Sequence, residues 1–145
     1  MGTNLTLSLD AMSGDLGTEV VVRAASATLD KYVNIELKIV GDQAELQDLV
    51  TRIIGENSRI QIVHASEVVQ MSEPPIDALR KKKDSSMRVA INLVKDGSAD
   101  ACVSSGNTGA LMAMAKFVLK TLPGIDRPAF IAELPAKGGS LHMLD

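Results

Sequence analysis

The chain has 145 residues, enough for one domain with a sizeable core, and 46% are apolar but only 2% aromatic, so aliphatic side chains must fill that core. Its 15 Lys and Arg against 18 Asp and Glu leave a formal charge of −3, which argues against general nucleic-acid binding while leaving room for a local basic patch. No run of about 18 apolar residues occurs to span a membrane, and Met1–Asp10 lacks the basic and apolar stretches of a secretory signal.

Leu5–Leu9 alternates like a strand, and Val21, Ala24, Ala25, Thr28 and Leu29 then fall at helical spacing. Glu36–Val40 reads as a strand closed by Gly41-Asp42. Leu46, Leu49, Val50, Ile53 and Ile54 form a helical stripe with Gly55 as its stop. Ile60–His64 is a short strand. Ser72 is an N-cap signal and Pro74-Pro75 suit a first turn, which predicts a short helix through Lys83. Asp84-Ser85-Ser86 is a second cap signal. Met87, Ala90, Ile91 and Val94 share one face of the helix it opens, and Gly97 ends that helix. Asp100–Val103 reads as a buried strand, and Ala110–Leu119, apolar nearly all round, as a buried helix broken by Pro123-Gly124. Pro128–Leu134 gives a further strand, ended by Pro135. Ser140–Asp145 reads as another strand that stops short, so residues 1–145 are expected to be the N-terminal part of a single longer α/β domain.

Regular strand–helix alternation predicts an α/β protein of three α/β/α layers around a mostly parallel sheet. In such sheets ligands bind off the carboxyl ends of the strands. Two candidate segments fall there, and a third opens a helix. In the first, Ser104-Ser105-Gly106-Asn107-Thr108-Gly109 joins a strand to a helix. Asn107 or Thr108 can cap that helix, and Gly106 and Gly109 allow positive φ or close approach. The turn reads as an anion site at a helix N-terminus or, equally, as a tight connection. It is neither a Walker loop nor a GxGxxG turn, so dinucleotide binding is unsupported.

The second segment, Leu9–Gly17, carries Asp10 and Asp15. These can orient a substrate, hold a metal or transfer a proton; alternatively Asp10 satisfies turn amides and Asp15 caps the next helix. The third is Arg80–Arg88, RKKKDSSMR. Ser85, Ser86 and Arg88 suit a phosphate or an acyl phosphate. Arg80, Lys81, Lys82 and Lys83 read as a solvated face, or as a contact for an acidic protein. Cys102 reads as a small buried hydrophobe in a reducing compartment. His64 and His142 lack the neighbours of a metal motif.

Leu9–Gly17, the block Ser72–Ala113 and Gly124–Ala129 together resemble the bacterial phosphate acyltransferases of phospholipid synthesis, the fatty acid/phospholipid synthesis protein family. The resemblance implies an α/β/α fold similar to isocitrate and isopropylmalate dehydrogenases and to phosphate acetyltransferase. It implies acyl transfer from acyl carrier protein to inorganic phosphate, without a cofactor, giving an acyl phosphate for a membrane glycerol-3-phosphate acyltransferase. It also implies a homodimer associated peripherally with the cytoplasmic membrane. On this reading Asp10, Asp15 and Asn107 are candidate catalytic residues. Ser85, Ser86, Arg88 and Ser104–Gly109 are candidates for holding phosphate, and Arg80–Lys83 for contacting acyl carrier protein. The alternatives are a related transacylase using acyl-coenzyme A and a non-catalytic phosphate-binding fragment. Further active-site and membrane-contacting segments are expected beyond Asp145, so poor turnover by this chain alone is expected. Ser13, Thr18 and Ser105 depart from the family's usual Gly, Pro and Ala; a Ser13 held at positive φ would cost about 1 kcal/mol.

Overall fold

The computed structural model describes residues 4–144. Strands β1 (Leu5–Asp10), β2 (Ile35–Gly41), β3 (Ile60–His64) and β4 (Ala101–Ser104) form one parallel sheet in the order β3-β2-β1-β4. Helices α1 (Thr18–Lys31) and α2 (Gln43–Ile53) connect the first three strands. Right-handed crossovers that step from β1 to β3 place both helices on one face. The chain then returns past β1 to β4, which carries α3 (Pro75–Lys81) and α4 (Ser86–Lys95) to the other side. This reversal makes the three layers.

The side-chain period of two builds both faces. Leu37 and Ile39 of β2 pack with Val22, Ala25 and Leu29 of α1 and Leu46, Leu49 and Val50 of α2. Val40 faces the opposite way, onto Ala65 and Ala90. Each fully buried Leu or Ile here is worth about 1.5–3 kcal/mol. On the α4 face Ser8 replaces a hydrophobe, and its buried hydroxyl donates to the Ala90 carbonyl at 2.8 Å.

Several boundaries differ from those read in the sequence. Ser72 does not cap α3: its N-cap is Pro74, with no side-chain bond. The strand read as buried is an edge strand, pairing only with β1 among the described residues and leaving Val103 52% exposed. Helix α5 (Thr108–Leu119) buries one stripe, Ala110, Met114 and Val118, against α3 and α4, while Phe117 and Leu119 face outwards. The last segment, read as two further strands, is an antiparallel hairpin of β5 (Ile131–Ala136) and β6 (Gly139–Leu144). The first of these strands continues through Pro135, and the pair joins no part of the parallel sheet. Proline is compatible with such a strand because it has a partner on one side only.

Candidate functional site at the reversal of the sheet

Beyond β1 the chain turns into α1 on one face; beyond β4 it turns into α5 on the other. The carboxyl ends of these neighbours bound the crevice where strand order reverses. Asp10 and Ser104 are register partners there.

Asp10 is 2% exposed. Its Oδ2 accepts from the Ser104 hydroxyl at 2.6 Å; its Oδ1 accepts from Ser86 Oγ at 2.6 Å, Ser13 Oγ at 3.0 Å and the Met12 amide at 3.4 Å. The two shorter contacts lie in the range for a hydroxyl donating to a carboxylate. A buried carboxylate without partners would cost several kcal/mol. Three serines, from the β1–α1 turn, the start of α4 and the end of β4, offset that cost, and the carboxylate in return holds these segments together. Ser104 extends the chain one bond further, because its Oγ accepts from the Gly106 amide at 3.1 Å.

The β1–α1 and β4–α5 turns are stacked. A Cβ added to Gly106 would lie 2.5 Å from Ser13 Cβ and 3.0 Å from its carbonyl, and one added to Gly14 would strike Ser105 Oγ. Glycine at 106 therefore serves close approach, not positive φ. Ser13 is not at positive φ either, so it carries no left-handed strain; its hydroxyl binds Asp10 instead.

Asn107 is the N-cap of α5, its Oδ1 accepting from Ala110 N at 3.0 Å. Its amide donates to the carbonyls of Met71 and Glu73, both at 2.9 Å, and of Gln70 at 3.4 Å. Asn107 thereby clamps the β3–α3 connection onto the start of α5. The Thr108 and Gly109 amides, between this cap and Ala110, have no acceptor among the described residues. Helix α1 also starts at the crevice, at Gly17 (φ 79°), with no side-chain cap. Asp15 is therefore not the cap of α1; it lies exposed in the preceding turn. Two helix N-termini with unfilled amides and positive dipole ends thus open at the carboxyl ends of β1 and β4.

The remaining candidates separate. Ser86 joins Asp10, but Ser85 is the N-cap of α4, accepting from Arg88 N at 3.3 Å and donating to the Lys82 carbonyl at 2.8 Å. Both serines are fully buried. Arg88 points elsewhere: its guanidinium lies 5.3 Å from the Phe117 ring centroid. Arg80, Lys81 and Lys83 are exposed, Lys81 pairing with Asp77 at 3.2 Å. The residue next to that run, Leu79, lines a groove of about 470 Å³ between α3 and α5 with Ala113, Lys116, Phe117, Lys120 and Thr121. Lys120 lies over Phe117 at 4.9 Å. Cys102 is a protonated thiol at neutral pH: burial, with the Asp10 charge adding to it, pushes it up to about 11 despite a hydrogen bond with Ser8.

Sequence reading missed Ser13 as a site residue and the convergence of Ser13, Ser86 and Ser104 on Asp10. The contacts to Ser86 and Ser104 span 76 and 94 residues. The available signal was serine in the β1–α1 turn, at the start of α4 and at the end of β4, with a single aspartate at the end of β1.

The family model described as fatty acid synthesis protein matches residues 5–145. The chain is 58% identical over 143 residues to a phosphate acyltransferase of Methylococcus capsulatus, covering 97% of this chain and 42% of that protein. It is 57% identical over 143 residues to one of Nitrosococcus oceani, covering 98% of this chain and 42% of that protein. The chain thus spans about two-fifths of the length of these relatives. Among solved structures, the EutD phosphotransacetylase from Staphylococcus aureus is similar with a TM-score of 0.61 and 19% identity, over 96% of this chain and 45% of that one. At that identity the likeness is one of fold.

Proposed function

Because the chain belongs to the fatty acid synthesis protein family, we propose that it forms the phosphate-binding part of an enzyme that transfers a fatty acyl group from acyl carrier protein to inorganic phosphate. The observation that carries this reading is the pair of helix N-termini, α1 and α5, opening where the sheet reverses. Phosphate binds there through backbone amides and the helix dipoles. A phosphate oxygen attacks the thioester carbonyl, the carbon–sulfur bond breaks, and the carrier leaves as its thiol. The products are an acyl phosphate and free acyl carrier protein.

Phosphate is already an anionic nucleophile, so positioning and stabilisation of developing charge can supply much of the rate. Asp10 and Asn107 hold the two turns around the crevice. Asp15 lies exposed in the β1–α1 turn beside it. Ser86 belongs to the same cradle through Asp10. The acidic carrier docks on Arg80–Lys83 and on the adjoining groove, where Lys116 and Lys120 flank the exposed ring of Phe117. That surface pairs positive charge with an apolar centre, as a small acidic partner requires.

The test is release of free acyl carrier protein from palmitoyl-acyl carrier protein by the full-length polypeptide, with and without phosphate. Release that requires phosphate and yields acyl phosphate is expected. Release from palmitoyl-coenzyme A alone would replace the donor. Release without phosphate would overturn the reaction.

A further inference from the structure

We propose that Asp10 and Ser104 act as one positioning unit that sets the aim of the β4–α5 turn, and through it the affinity for phosphate. The inference rests on phosphate as the anion held at this turn.

The geometry is a three-atom relay. A hydroxyl has one proton to donate and lone pairs to accept with. Ser104 commits its proton to Asp10 Oδ2 at 2.6 Å, which fixes the rotor and presents a lone pair to the Gly106 amide at 3.1 Å. Without the carboxylate, that rotor is free and the Gly106 amide loses a defined acceptor. Gly106 also lies against the β1–α1 turn at Ser13, so its position fixes the spacing of the two turns. The Thr108 and Gly109 amides follow directly, and their direction depends on where Gly106 is held.

The other carboxylate oxygen does different work. Oδ1 receives Ser13 and Ser86, which belong to the first turn and to α4. Loss of Ser86 therefore loosens the hub without freeing Ser104. A purely structural role for Asp10 would make Ser86→Ala and Ser104→Ala equivalent. The relay makes them different.

The experiment compares Asp10→Asn, Ser104→Ala, Ser104→Thr, Ser86→Ala and the Asp10→Asn/Ser104→Ala double variant in the full-length polypeptide. Amide hydrogen exchange at Gly106 is read first, then KM for phosphate and for acyl carrier protein. Asp10→Asn and Ser104→Ala are each expected to raise Gly106 exchange and to raise KM for phosphate about tenfold, with the carrier KM unchanged. At the Gly106 amide the double variant should exchange no faster than Asp10→Asn, because both residues reach that amide through one bond. Ser104→Thr, which keeps the hydroxyl, should behave as the parent, and Ser86→Ala should leave Gly106 exchange near the parent's. Unchanged Gly106 exchange in Ser104→Ala, additive effects on that exchange in the double variant, or equal exchange in Ser86→Ala and Ser104→Ala would each overturn the relay. Exchange does not depend on catalysis. An enzyme indifferent to phosphate would therefore refute the proposed reaction while the exchange still decided the relay.

Discussion

A carboxylate can be held by its neighbours at the surface as well as in the core, and Asp84 shows the effect on stability. Its Oδ2 accepts from Ser66 Oγ at 2.5 Å and from Ser66 N at 3.0 Å. The Ser66 hydroxyl above all, then its amide, holds the Asp84 carboxyl below its ordinary value of 3.8, with the nearby His64 charge acting in the same direction. A depressed native pKa means that the unfolded chain binds the proton more readily. The contribution of Asp84 is therefore complete above its unfolded value and is lost as pH falls through the native one. The group is almost fully exposed, so solvent screens the effect and keeps it small. Denaturation midpoints of the parent and Asp84→Asn should differ by a constant amount near neutral pH and converge below about pH 4. A gap that stays constant down to pH 2 would show that Ser66 does not prefer the charged form.

The elements around the crevice are joined by connections, and the one from β3 to α3 is held mainly by side chains reaching across it. Glu67 and Asp84 bridge its start, with Asp84 N donating to Glu67 Oε2 at 3.0 Å and Ser86 N to the Glu67 carbonyl at 3.1 Å. Asn107 holds its end through three carbonyls and at the same time caps α5. Asn107→Ala removes both functions. An N-cap is worth about 1 kcal/mol and the carbonyl bonds a similar amount, so a loss of about 2 kcal/mol is expected in urea denaturation. A loss no larger than that of an ordinary cap would show that the clamp adds nothing. Much of this architecture is legible in sequence. The stripe Leu46, Leu49 and Val50, the cap at Ser85 and the strand Ile60–His64 all lie where local patterning puts them, because hydrophobic period and cap chemistry act over a few residues. The clamp is not legible. Asparagine before a helix signals a cap, but nothing local shows that its amide will meet carbonyls 34 to 37 residues away. The exposed faces of β4 and α5 are equally hidden, since an apolar run has the same composition whether or not something covers it.

At the scale of the molecule, the parallel sheet ends in two edge strands, β3 and β4. Strand β3 bounds one edge. At the other, β4 pairs with β1 alone among the described residues, so a row of its backbone groups faces outwards. Beside that edge runs a groove of about 290 Å³ whose apolar wall includes Leu7, Leu9, Val20, Val21 and Val103. Val20 and Val103 are 45% and 52% exposed. No charged residue or proline protects the strand itself, Ala-Cys-Val-Ser, and an unprotected edge flanked by apolar side chains is a template for pairing. The strand is short, which limits the number of bonds a visitor can make, so association should be weak and depend on concentration. The chain of 145 residues is therefore expected to sediment as a mixture whose mean mass rises with loading. Val103→Lys places a charge on the groove wall without touching the Asp10 network, since Val103 makes no side-chain hydrogen bond there. It should hold the chain monomeric at loadings where the parent associates. The parent's mass distribution surviving this substitution unchanged would locate the contact away from β4, on the exposed apolar residues of α5 or the hairpin.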